Sequence, residues 1–172
     1  MPGVKTLADA RTKVTMLTTV PANLDAITVT ALAAGVDVSC LLAKSGTRFS
    51  ATASDTTTDP ALCEESNSPV LGASNYEAAA AVYWLLDSLD GAYASGDNAA
   101  YEALKAKGSR VVFVLREGPA YTDAWAAADV YDAFEVISDN PQKPTETSGY
   151  VKRVIPLLVQ DAALDKAVVA GP

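Results

Sequence analysis

Three pairs of carboxylates stand close together in the sequence: Glu64 with Glu65, Asp87 with Asp90, and Asp123 with Asp129. Such pairs could work as general acid and base or hold a hard cation. None falls in an oxygen-rich loop of EF-hand spacing, so solvated loop carboxylates are the simpler reading. The thiols are Cys40 and Cys63. Cys40 lies on the apolar side of an alternating segment and reads as a small core residue, while the charge of Glu64 disfavours a thiolate at Cys63. One disulfide is possible, but nothing demands it. His is absent, which excludes Ser-His-Asp and Cys-His catalysis and His-dependent metal sites. Two cysteines cannot build a four-thiolate zinc site. Gly108-Ser109 stands alone, without the glycine-rich loop that cradles phosphate. Lys152-Arg153 could touch phosphate, although an isolated basic pair on a strand better fits a solvated edge or an ion pair between subunits. Trp84 and Trp125 read as core or subunit-contact anchors. No catalytic residue, cofactor or metal ligand is expected, and the protein is expected not to be an enzyme.

The elements that position these residues belong to a chain of 172 residues, 49% hydrophobic and 20% charged, enough to build one core. With 13 Lys+Arg against 21 Asp+Glu, the net charge is −8. An acidic surface repels phosphate backbones, so tight sequence-independent DNA binding is not expected. No stretch approaches the roughly 20 apolar residues of a bilayer span. The first eleven residues lack a basic region followed by an apolar run, so synthesis and folding in a cytoplasm are expected.

Period-two alternation predicts strands over 26–32 and 36–43, joined as a hairpin through 33–35. Residues 44–75 are rich in Ser, Thr, Asp, Asn and Pro, with a possible short strand at 47–53. A polar connection of this length is usually functional or disordered until bound. Residues 76–86 are ambiguous, since the alanine run favours helix and Val82-Tyr83-Trp84 favours strand, and local physics leans slightly to helix. A helix over about 98–107 follows, capped by Asp97 or Asn98 and stopped by Gly108. Strands are then expected at 109–116, covered on both faces, at 129–138 and at 150–160, where Pro156 implies an edge or a bulge. The tail 161–172 alternates too weakly to assign. The sum is a mainly β domain, an antiparallel sandwich or partly closed barrel with one inserted helix.

The order of three stretches resembles the major tail tube protein of long non-contractile-tailed bacteriophages. They are Ser54-Asp-Thr-Thr-Thr-Asp-Pro-Ala-Leu-Cys-Glu-Glu65 leading to Gly72-Ala-Ser-Asn-Tyr-Glu77, then Ala103-Leu-Lys-Ala-Lys-Gly-Ser-Arg-Val-Val-Phe-Val-Leu-Arg-Glu-Gly118, and Tyr131-Asp-Ala-Phe-Glu-Val-Ile-Ser-Asp-Asn-Pro141 continuing to Gly149-Tyr-Val-Lys-Arg-Val-Ile-Pro-Leu157. The likeness spans about 26–160. It implies a strand at 76–86 and a structural virion protein forming stacked hexameric rings, the tube that conducts the genome. It also implies the tape measure protein and tail tip or terminator proteins as partners, assembly in the bacterial host cytoplasm, and DNA passing through the lumen without specific binding. Six copies would carry 6 × −8 = −48 formal charges, and a like-charged wall lets DNA slide. A free-standing β-sandwich binding or adhesion module is the alternative.

On this reading the chain is one tail tube domain over 1–172, with an N-terminal arm at 1–20 packing on a neighbouring subunit, an assembly loop at 44–75 and a C-terminal tail at 161–172. Wet positions expected to face the lumen are Asp37, Ser39, Glu135 and Lys152, together with Thr28, Thr30 and Tyr131. The apolar residues spaced along the long loop, Phe49, Leu62, Val70 and Leu71, are expected to dock on an adjacent ring.

Overall fold

A computed structural model describes residues 7–58, 63, 69–87, 91–144 and 149–171. In chain order the strands are β1 (Thr12–Leu17), β2 (Val36–Asp37), β3 (Arg48–Thr52), β4 (Thr56–Thr57), β5 (Val70–Leu71), β6 (Asn75–Tyr83), β7 (Arg110–Glu117), β8 (Val130–Ser138) and β9 (Lys152–Ala167). The helices are α1 (Val29–Ala33) and α2 (Ala99–Leu104). Seven strands form one antiparallel sheet in the order β2-β1-β7-β8-β9-β6-β3, and β4 and β5 form a separate ribbon. The fold is mainly antiparallel β, with no closed barrel, as a sandwich requires.

Alternation along β7 explains the two apolar layers. Val111 and Phe113 join Val14, Met16, Phe134, Val136 and Ile155 on one face, beneath Ala100 and Leu104 of α2. Val112 and Val114 join Leu17, Tyr131 and Ala133 on the other, beneath Leu24, Ile27, Leu32 and Trp125. Residues 112–114 are fully buried, each contributing roughly 1.5–3 kcal/mol of apolar transfer. The expected strand with both faces covered is thus present.

The predicted hairpin of 26–32 with 36–43 does not form. Thr28 caps α1 by accepting from the Ala31 amide at 3.2 Å, and a 3-10 turn at Leu24–Ala26 precedes it, so two short helical turns stand where alternation predicts a strand. Only Val36–Asp37 pairs with β1. Residues beyond it cross toward the opposite edge: the Val38 amide donates to Val14 O at 2.9 Å, and the Ala43 amide to Ala81 O at 2.8 Å. The chain therefore spans the two sheet edges over one apolar face without closing the sheet.

The arm expected at 1–20 is, from Thr12 to Leu17, an interior strand between β2 and β7. Val14, Met16 and Leu17 are buried in the chain's own core, which is why this segment needs no neighbour to cover it. Residues 1–6 lie outside the described residues. The tail at 161–172 is largely strand too, since β9 pairs with β8 as far as Ala167. Register shifts near Glu135/Val136 and Tyr131/Ala133 interrupt the alternation there, and Asp165 adopts a positive φ of 53°.

Pro156 sits inside the sheet, opposite Ala79 of β6. Its carbonyl accepts from the Asp139 amide at 3.0 Å, so its nitrogen faces the place where β8 has ended and no ladder donor is lost. The segment 76–86 is a strand through Tyr83, as the resemblance implied. Its alanines reflect close neighbours: a Cβ built on Gly46 would lie 3.2 Å from that of Ala81. The predicted 98–107 helix is shorter, and the side chain of Asn98 does not cap it.

Candidate functional site

Of the carboxylate pairs, only Asp123 with Asp129 lies wholly among the described residues. Asp129 accepts from the buried guanidinium of Arg116 at 2.6 Å and from the Ala126 amide at 2.9 Å, while Asp123 contributes only a carbonyl to Arg116. Asp90, Glu64 and Glu65 lie outside the described residues. No cluster of three metal-ligating side chains occurs among the described residues, and none of their helices is long and apolar enough to cross a membrane. Cys40, expected in the core, is exposed, because its segment leaves the sheet after Asp37. Cys63 is exposed as well. Trp125 is a core anchor, its indole donating to Thr15 Oγ1 at 2.9 Å.

The residues expected on a wet inner face divide. Asp37 is exposed and locked in place: its carboxylate accepts from the Ser39 amide at 3.0 Å and hydroxyl at 2.6 Å, and lies 3.1 Å from Lys13 Nζ. Partial burial raises its pKa, but the Ser39 bonds and Lys13 outweigh that and hold it below the usual carboxylate range. Ser39 is half-buried. Glu135 is buried and paired with Arg110. Tyr131 is buried as well, its hydroxyl donating to Leu24 O at 2.6 Å and accepting from the Ile27 amide at 3.1 Å. Both are buried, so neither is a wet position. Thr28 and Thr30 lie at the cap and in the first turn of α1 and not on a strand. Lys152 donates to Ser45 Oγ at 3.1 Å.

The apolar residues of the long connection also divide. Phe49 belongs to the core of its own chain, its ring 4.8 Å from Phe113 and 5.8 Å from Phe134. β3, which carries Phe49, pairs with β6, and that pairing turns the side chain inward. Leu62 lies outside the described residues. Val70 and Leu71 are 67% and 75% exposed on the β4–β5 ribbon. The ribbon continues the β3–β6 hairpin: the Asp55 amide donates to Ala73 O at 3.0 Å and the Gly72 amide to Asp55 O at 2.7 Å.

A second exposed apolar surface lies where β6 ends and β9 begins. Tyr83, Trp84, Leu85, Leu86, Tyr150 and Val151 line a cleft of about 460 Å³. Trp84 stacks on Tyr101 at 5.9 Å, meets Tyr93 edge-on at 5.7 Å, and carries the Arg153 guanidinium 3.8 Å from its ring centroid. Tyr150, 83% exposed, meets Tyr83 edge-on at 5.8 Å. Tyr, Trp and Arg in such proximity are the composition of interface hot spots.

Geometry therefore supplies exposed apolar ends on a covered sheet. A sequence model for phage tail tube proteins matches residues 1–172, the whole chain. The chain belongs to the phage tail tube protein family. No curated protein matches the chain.

In this tail tube protein the aromatic cleft is held by a buried amide. Asn98 Nδ2 donates to Leu85 O at 2.9 Å and to Ala94 O at 2.5 Å, and its Oδ1 accepts from the Leu85 amide at 2.9 Å. That side chain fixes the backbone leaving β6 instead of capping α2. Sequence reasoning noticed Trp84 and Arg153 but did not bring them together, because 69 positions separate them. The antiparallel register of β6 with β9, which places Val82 opposite Arg153, does so.

Proposed function

We propose that this tail tube protein polymerises into stacked hexameric rings, the hollow tube through which the phage genome is delivered. The family match over the whole chain carries the reading. Three physical features support it. The sheet is open and ends in two short edge strands, β2 and β3, that offer unpaired backbone groups to another copy. Both ends of β6 present apolar surface that a monomer leaves in water. The net charge of −8 per subunit disfavours trapping of DNA on a wall built from many copies.

Asp37 and Ser39 are the proposed lumen residues. Lys152 goes with its neighbours Tyr150 and Arg153 to a contact between copies. The tape measure protein and the tail tip and terminator proteins are the proposed partners at the ends of the tube, and the host cytoplasm is the proposed place of assembly. Sedimentation velocity of the purified protein over rising concentration tests the reading. Cooperative conversion of monomer into very large particles above a threshold is expected, and a monomer at all concentrations would overturn it.

A further inference from the structure

We infer that the Val70–Leu71 ribbon of one copy docks in the Trp84–Tyr150 cleft of the next, a head-to-tail contact between two copies of this chain. The inference rests on the tube reading and names the surfaces that would join.

Position is the first argument. Ribbon and cleft lie at opposite ends of one strand: β6 starts at Asn75, whose Nδ2 donates to Ala53 O at 3.1 Å and Asp55 Oδ1 at 2.9 Å at the root of the ribbon. It ends at Tyr83, which lines the cleft. At ~3.4 Å per residue, about 27 Å separate the two. A surface at one end that fits a surface at the other makes a heterologous contact, and such contacts propagate in one direction instead of closing on a pair.

Charge is the second. The described residues of the ribbon and its root, 53–58 and 69–74, include Asp55 and no Lys or Arg. Lys143, Lys152 and Arg153 line an adjoining hollow that shares Tyr150 and Val151 with the cleft. An acidic projection and a basic rim favour copy on copy in one orientation and oppose ribbon against ribbon.

Shape and rigidity are the third. Val70 and Leu71 are successive positions of a paired strand, so their side chains leave opposite faces of the ribbon and Leu71, 75% exposed, is the one that enters, while the Leu85 and Trp84 walls of the cleft are held by Asn98 and by Arg153. Little freedom is left to lose at those two walls on docking.

The test uses the full chain with Cys40→Ser and Cys63→Ser, so that only introduced thiols react. One preparation carries Leu71→Cys and another Tyr150→Cys, with Val70→Cys and Val151→Cys as a second pair if either fails to fold. The two are co-assembled and treated with a short bismaleimide. A cross-linked dimer containing one of each variant is expected from the mixture, and none from either variant alone. Leu71→Asp should raise the concentration needed for assembly by at least about tenfold. Large assemblies without the mixed dimer would overturn the docking while leaving the tube reading standing. Dimers from Leu71→Cys alone would overturn the head-to-tail arrangement. A parent chain that stays monomeric would overturn both.

Discussion

Arg116 Nη1 stands 2.6 Å from Asp129 Oδ2, and its side chain is almost wholly buried. The same guanidinium donates to the carbonyls of Ala120, Asp123 and Ala124 at 2.9–3.0 Å and lies 5.0 Å from the ring centroid of Trp125. One side chain thereby ties the whole β7–β8 connection to the sheet. Its Nε is buried without a partner, so the site is held by several bonds and not by a complete set.

Removing one member of a buried pair strands the other charge. Asp129→Ala should lower unfolding free energy by about 3–5 kcal/mol, read as a shift of the urea midpoint at unchanged slope. A loss below 0.5 kcal/mol would show that the pair is solvated in solution.

Tyr131 links β8 to the turn before α1 through two hydrogen bonds of its hydroxyl. Tyr131→Phe leaves the Leu24 carbonyl and the Ile27 amide buried without that partner, a cost of about 1–3 kcal/mol. Amide hydrogen exchange should accelerate first at Ile27. Unchanged exchange there would separate the turn from the tyrosine.

Phe49 and Leu71 occupy the same polar connection with opposite roles. Phe49→Ala empties an aromatic site in the core and should cost about 3–5 kcal/mol in the monomer. Leu71→Ala removes an exposed side chain and should stay within about 0.5 kcal/mol. Parallel thermal melts of the two variants check the contrast, and equal melting points would contradict it.

Acid stability follows from carboxylates held below their ordinary range. Hydrogen bonds and Lys13 outweigh burial at Asp37; the Lys105 and Tyr93 bonds act at Glu102; the Asn140 amide and Lys107 act at Asp139. Depressed folded values stabilise the native state above the unfolded carboxylate range, near pH 4. That contribution is lost as pH falls through the lower folded values. Urea midpoints should be level from pH 7 to pH 5 and drop below pH 4, less steeply in Asp37→Asn. A drop already complete at pH 5 would contradict these assignments.

The strands most legible in sequence were those whose partners bury both faces or alternate cleanly. In β7 a near-continuous apolar run left no other reading, and β8 followed from its alternation. Where a side chain forms local hydrogen bonds, periodicity misled. Thr28 turns an apparently alternating 26–32 into a capped helix, and Asp37 with Ser39 ends a strand that the pattern would have carried to residue 43. The bulges of β9 hid a sixteen-residue strand, since each register shift resets which positions face the core. Composition excluded catalysis built on His, but the aromatic cleft depends on pairing between distant strands. No local pattern around Trp84 or Tyr150 could have shown it.

End-on electron microscopy of assembled protein tests the tube most directly. The rotational power spectrum of single rings should peak at sixfold around a central hole. Solid fibres, or discs without an axial channel, would contradict the tube.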